Sequence, residues 1–149
     1  MAFSKNFQVK WADIDANRHL RHSAYYDYGA QVRILFFDEN GYSMQKFAEI
    51  HLGPILFREE AVFMKEIFMN EKITVDMRLA ASRNDGTKWK FVHSIYKENG
   101  EKAAQITVEG AFMDLLKRKL TYPPEELLSL VEHLEKTENY ELWPDREKK

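Results

Sequence analysis

The sequence predicts an α+β fold in which a curved antiparallel sheet wraps one long buried helix and a further helix follows near the C-terminus. Three observations carry this reading. Residues 25–39 repeat with helical spacing, placing Tyr25, Tyr28, Val32, Leu35 and Phe36 on one side and Ala30, Ile34 and Phe37 on a second. A helix apolar over most of its circumference is one that other elements surround. The segments 55–64, 71–82, 88–97 and 102–116 are rich in β-branched and aromatic residues, with turn signals at Asn70, Asn84-Asp85-Gly86 and Asn99-Gly100, so their short connections favour an antiparallel meander. Ahead of the helix, Phe7, Val9 and Trp11 alternate with polar neighbours as in a short half-buried strand.

The boundaries follow from local chemistry. Ser23 suits the N-cap of the long helix, Asp27 lies in its first turn, and Asn40-Gly41 supplies a left-handed stop. A shorter helix is expected over residues 43–49, before the Gly53-Pro54 break. Pro123-Pro124-Glu125-Glu126 opens the last helix, over about residues 123–136, with Leu127, Leu130, Val131 and Leu134 on one side; the charged tail after it is expected to fray. The 149 residues show no repeat, no low-complexity tract and no second composition regime, so they read as one domain. A sheet that covers a single helix from one side leaves edges and a helix face open, which points to association with a second copy.

Composition narrows the function. The chain is 44% hydrophobic and 13% aromatic, enough apolar mass for one core. A net charge of −2 with interspersed signs lacks the basic stripe of a nucleic-acid binder. Without cysteine there is no disulfide frame, thiolate metal site or cysteine nucleophile, so any chemistry falls to oxygen and nitrogen groups. The N-terminal residues lack the apolar stretch of a signal peptide, and no segment approaches the roughly 20 apolar residues of a membrane span. A cytoplasmic location is therefore expected.

The densest chemistry lies between the first strand and the long helix, in Trp11-Ala12-Asp13-Ile14-Asp15-Ala16-Asn17-Arg18-His19-Leu20-Arg21-His22. In an extended loop Asp15, Asn17 and His19 point the same way, with His22 just before the helix. A partly desolvated carboxylate there can act as a general base on water or attack an activated carbonyl itself. Unpaired backbone N–H groups at the helix start, around His22 to Tyr25, can stabilise a developing oxyanion. Each residue also has a plainer role: Asp13 or Asp15 capping a turn, His19 or His22 as an ordinary surface histidine. Two carboxylates and two histidines can also hold a metal, but the spacing is loose and no His-x-x-His or His-Glu-x-x-His pattern accompanies it, so no metal is assigned. There is no Gly-x-Ser-x-Gly elbow, phosphate loop or dinucleotide fingerprint.

At this loop the chain resembles the hotdog-fold acyl-CoA and acyl-carrier-protein thioesterases, especially the 4-hydroxybenzoyl-CoA thioesterase-like group. Members carry an Asp at the end of the first strand, a Tyr about ten positions on and an Arg late in the central helix, matched by Asp15, Tyr25 and Arg33. Asp15-Ala16-Asn17-Arg18-His19 also matches the Asp-x-Asn-x-His segment of plant-type acyl-carrier-protein thioesterases without a gap. Departures are Ala30 where many bacterial members have an acid, Ala24 where they have Asn, and Phe68-Met69-Asn70-Glu71 in place of a Tyr-Gly-Asp turn.

The resemblance implies a hotdog fold and metal-independent hydrolysis of an acyl thioester without a cofactor beyond the substrate's own coenzyme A or acyl carrier protein. It assigns Asp15 as general base or nucleophile, Asn17 and His19 to positioning water or the acid, and the His22 N–H to polarising the carbonyl. Arg58, Arg83, Lys88 and Lys90 are its candidates for coenzyme A phosphates, and Tyr25, Tyr28, Phe57, Phe63 and Trp89 for the acyl pocket. A homodimer or homotetramer is implied as well. The alternatives are a hotdog enoyl-thioester hydratase, whose Asp-x-Asn-Pro-x-His pattern differs in spacing, and a non-catalytic acyl-CoA-binding domain.

Overall fold

The structure, a computed structural model, describes residues 2–145. The chain runs β1 (Phe3–Gln8), a 3-10 turn (Trp11–Asp13), α1 (Ala24–Glu39), α2 (Met44–Glu49), β2 (Leu52–Phe63), β3 (Lys72–Arg83), β4 (Trp89–Tyr96), β5 (Lys102–Asp114), β6 (Lys119–Leu120), α3 (Glu125–Glu132) and β7 (Lys136–Trp143). The strands form one sheet in the order β1-β3-β4-β5-β2, with β6 on β5 and β7 on β3. Curled around α1, it gives the expected helix-in-sheet architecture.

The buried residues of α1, among them Tyr25, Tyr28, Val32 and Phe36, recur every three to four positions against Phe91, Ile95, Ile106 and Val108 of the sheet. Gly29 permits a close approach: a Cβ there would stand 3.2 Å from the His93 ring and 3.6 Å from Ile106. At the far end the Tyr42 N–H donates to the Phe37 carbonyl at 2.8 Å and the Gly41 N–H to Asp38 at 3.3 Å, with Gly41 at φ +92°. This is a Schellman stop of the kind Asn40-Gly41 foretells.

Four local expectations are corrected. β1 ends at Gln8, because β3 offers it partners only from Met77 down to Lys72. Trp11 instead enters the 3-10 turn and is 79% exposed. Ser23 does not cap α1: its backbone is already helical, and its Oγ accepts from Arg21 Nε at 3.1 Å. The meander holds for β3, β4 and β5, but β2 pairs with β5 on the far side, from Leu52 opposite Asp114 to Phe63 opposite Ala104. Finally, the charged tail forms β7, parallel to the half of β3 that β1 leaves unpaired, with the Tyr140 and Ser82 hydroxyls bonded at 2.7 Å. Its partner is some 60 residues away in sequence, so no local pattern announces it.

A buried polar contact ties the helix to the sheet. His93 Nδ1 lies 2.9 Å from the Asp76 carbonyl and Nε2 lies 3.0 Å from the Arg33 guanidinium. Since a carbonyl only accepts and a guanidinium only donates, the imidazole is held neutral with its proton on Nδ1. Burial, and then the Arg33 charge, push the His93 pKa down to about 3. The unfolded chain binds this proton near the ordinary value of 6.5, so the contribution of His93 is complete above that pH and is lost as pH falls toward about 3. Unfolding titrations between about pH 6.5 and 5 should therefore show stability falling with acid, with a flatter slope in His93→Gln.

Candidate active site

Between β1 and α1 the chain folds back on itself. Ile14 and Leu20 form an isolated antiparallel bridge, the Asp15 N–H donates to the His19 carbonyl at 3.0 Å, and the Arg18 N–H returns to the Asp15 carbonyl at 3.0 Å. Arg18 takes φ +67° to close the turn. The segment is thus a tight hairpin rather than the extended loop expected, and the turn, not alternation, groups its side chains. Leu20 N–H donates to Ile67 at 2.7 Å, which anchors the hairpin to the β2–β3 connection.

Asp15 has two distinct oxygens. Oδ1 accepts from the Asn17 N–H at 2.8 Å and the His19 N–H at 3.4 Å, so the turn-capping role and a position in the site coexist in one residue. Oδ2 lies 3.3 Å from His19 Nδ1, which also lies 3.1 Å from the Leu20 carbonyl. Both neighbours of that nitrogen are acceptors, so Nδ1 carries the proton, and Nε2 has no partner among the described residues. Asp13, by contrast, is structural: Arg21 donates to its Oδ1 at 2.7 Å and the Tyr28 hydroxyl approaches its Oδ2 at 3.5 Å. Among the described residues no three His, Asp or Glu side chains converge in a metal-binding arrangement.

A cavity of about 460 Å³ opens beside the hairpin. Asp15, Asn17, His19, His22 and Tyr25 all line it, at the N-terminal end of α1. The His22 N–H, one residue before the Ser23 N-cap position, has no acceptor among the described residues, so an unpaired donor lies at the approach to the helix. The opposite wall is Phe63, Met64, Lys65 and Glu66, where β2 ends. Of these only Phe63 was foreseen; the pairing of β2 with β5 brings the other three here, and the one local trace is the switch from apolar to charged residues at Lys65.

The remaining candidates lie elsewhere. Arg58 pairs with Glu60 at 3.0 Å on β2, Arg83 is half-buried with Nη1 3.4 Å from Thr87 Oγ1, Lys88 sits 4.9 Å above the Trp143 ring, and Lys90 lines a groove with Arg78 and Lys102. None of the four lines the Asp15 cavity. Of the aromatic candidates, Tyr25 and Phe63 reach it, in edge-on contact at 4.9 Å. Tyr28 is held by Asp13, Phe57 is exposed on β2, and Trp89 is a core residue stacked on Phe91 at 4.4 Å.

The family model described as the thioesterase-like superfamily matches residues 9–131, which include the hairpin, α1, α2 and strands β2 to β6. The chain belongs to the thioesterase-like superfamily. Among solved structures it resembles a hypothetical protein from Staphylococcus aureus in complex with CoA, at 19% identity over 89% of this chain and 83% of that one, with a TM-score of 0.83. It also resembles a 1,4-dihydroxy-2-naphthoyl-CoA thioesterase from Synechocystis, at 14% identity over 90% and 98% of the two chains and a TM-score of 0.79. A gentisyl-coenzyme A thioesterase superposes at 14% identity over 86% and 98%, with a TM-score of 0.76. These likenesses establish the hotdog fold. Among curated protein sequences none matches significantly.

The hairpin depends on the Asp13–Arg21 pair, whose carboxylate is largely buried. Arg21→Ala strands that charge and should lower stability by about 1–3 kcal/mol in urea unfolding, with Asp13→Asn on the same background recovering part of the loss.

Proposed function

We propose that this chain hydrolyses acyl thioesters of coenzyme A or of an acyl carrier protein, with Asp15 as the reactive carboxylate. The observation that carries the reading is the convergence of Asp15, His19 and His22 on one cavity at a helix N-terminus, the His22 N–H having no acceptor among the described residues. That is the minimum for acyl transfer: a base or nucleophile on one side and an oxyanion donor on the other. Membership of the thioesterase-like superfamily supports it.

Oδ2 is the oxygen for the chemistry, since Oδ1 is occupied by two backbone N–H groups. As a base it takes a proton from water while the hydroxide adds to the thioester carbon. The carbonyl oxygen gains charge facing the His22 N–H; collapse breaks the C–S bond, and the thiolate leaves with the proton. As a nucleophile the same oxygen forms a mixed anhydride and expels the thiolate; water then cleaves the anhydride to the acid and returns the Asp15 carboxylate, and the proton it sheds goes to the thiolate. In either route His19 Nδ1–H steadies Oδ2, and no step calls for a metal.

A second copy fits this site. β2 is an edge strand with Phe57 54% exposed and Val62 and Phe63 exposed beside it, and Ile34 of α1 is 51% exposed. An unpaired edge carrying exposed apolar side chains, here on either side of the Arg58–Glu60 pair, is covered in stable proteins. Antiparallel pairing of β2 with its copy makes a homodimer, the unit from which a tetramer is built, and sets the partner beside Phe63 and Met64 on the cavity wall.

Two measurements test these readings. Thiol release from a panel of acyl-CoAs and acyl carrier proteins should fall about 10²- to 10⁴-fold in Asp15→Asn, which keeps the Oδ1 contacts and still binds ligand; unchanged release removes Asp15 from the mechanism. Light scattering should give a dimer or tetramer for the wild type and a monomer for Phe57→Glu, whose charge cannot be buried in an apolar pairing; a wild-type monomer overturns the self-pairing of β2.

A further inference from the structure

The Asp15 cavity contains a polar group that the hydrolytic mechanism does not use. Tyr25 is 4% exposed, its ring is fixed edge-on against Phe63, and it lines the cavity. Yet among the described residues no hydrogen bond reaches its hydroxyl. Other tyrosines of the chain are engaged: Tyr28 with Asp13, Tyr140 with Ser82, Tyr42 with Glu126. The hydroxyl is not sealed in the core, so water meets it in the open cavity, and an occupant that covers it must replace that partner or leave it unpaired at about 1–3 kcal/mol.

Its state is also defined. Burial, and then the carboxylates of Asp15, Glu71 and Glu66 in that order, push the Tyr25 pKa up to about 12, so the hydroxyl is protonated in any ordinary buffer. It is a donor, in a cavity with Leu20, Phe63 and Met64 on its apolar side and Asp15, Lys65 and Glu66 among its charged groups. A plain alkyl acyl chain laid over it would strip the hydroxyl of water and return nothing. An acyl group with a second carboxylate meets two acids, Asp15 and Glu66, against the single lysine Lys65. A neutral hydroxyl or keto oxygen satisfies the donor, and because Tyr25 and Asp15 line one cavity of about 460 Å³, that oxygen belongs toward the thioester end of the acyl group.

We propose that the Tyr25 hydroxyl is a specificity-determining group, selecting acyl thioesters that carry a neutral hydroxyl or keto oxygen within a few bonds of the thioester and discriminating against plain alkyl and dicarboxylic acyl groups. The inference rests on the hydrolase reading for the placement of the acyl group. A site with a buried hydrogen-bonding group discriminates against analogues that lack the partner far more strongly than an apolar pocket discriminates by size.

The test uses matched thioesters: 3-hydroxyoctanoyl-CoA, 3-oxooctanoyl-CoA and octanoyl-CoA, with succinyl-CoA as the charged control. In the wild type, kcat/KM for the two oxygen-bearing substrates should exceed that for octanoyl-CoA by about 10- to 100-fold, with succinyl-CoA poorest. Tyr25→Phe keeps the ring against Phe63, and within that variant the kcat/KM of the oxygen-bearing substrates should fall to within about threefold of that for octanoyl-CoA. Equal rates across the pairs, or an equal loss for all substrates in Tyr25→Phe, overturns the assignment while the hydrolase reading stands. Calorimetric Kd values for the same thioesters on Asp15→Asn, with and without Tyr25→Phe, read the same discrimination without turnover. A differential loss there supports the role of Tyr25 even if no thioester is hydrolysed, and its absence overturns it.

Discussion

One constraint organises this molecule: a single apolar helix must be kept from water by a single sheet. α1 presents buried side chains along its length, and the strands curl around it to supply the opposite surface. Close approach is possible because Gly29 has no side chain where the helix meets His93 and Ile106. Covering the helix from one side has two consequences. The outer edge of β2 and the Ile34 face of α1 stay open, and the N-terminal end of the helix, with its unpaired N–H groups, emerges where the sheet ends.

The candidate site lies at that emergence. The hairpin between Ile14 and Leu20 is a small, self-bonded unit, held to the rest by Leu20 and Ile67 on one side and by Asp13, Arg21 and Tyr28 on the other. Its economy is that Asp15 serves both the turn and the cavity, one oxygen for each. Rigidity in the turn therefore becomes positional precision for the other oxygen, the condition under which a carboxylate can be aimed at a reacting carbon. The buried Arg33–His93 contact makes a comparable link deeper in the fold, joining α1 to β4 through a neutral imidazole, with Glu59 of β2 3.9 Å from the same guanidinium.

The legible parts of the sequence were those governed by neighbours along the chain. The span of α1, its stop at Asn40-Gly41, the short helix α2 and the four long strands follow from spacing and turn residues, and the structure places each close to its expected bounds. Asp15, Asn17, His19 and His22 were identifiable because they crowd one short segment. Less legible were the residues whose environment is set by distant partners. Lys65 and Glu66 reach the cavity only because β2 crosses to the far side of β5. Arg83 and Lys88 look like free cations in sequence, yet they contact Thr87 and the Trp143 ring, the second supplied by a strand that composition assigns to a frayed tail.

By itself the sequence determined the helix to be buried, the alternation that makes the strands, and the cluster of acid, amide and imidazole groups between them, because each depends on interactions within a few residues. The tertiary structure alone decided the order of strands, the ordering of β7, the hairpin that divides the work of the two Asp15 oxygens, and the unpartnered state of the Tyr25 hydroxyl. These depend on which surfaces remain unpaired after the rest has packed, and a backbone edge or a buried hydroxyl acquires or lacks a partner only through contacts that span the whole chain.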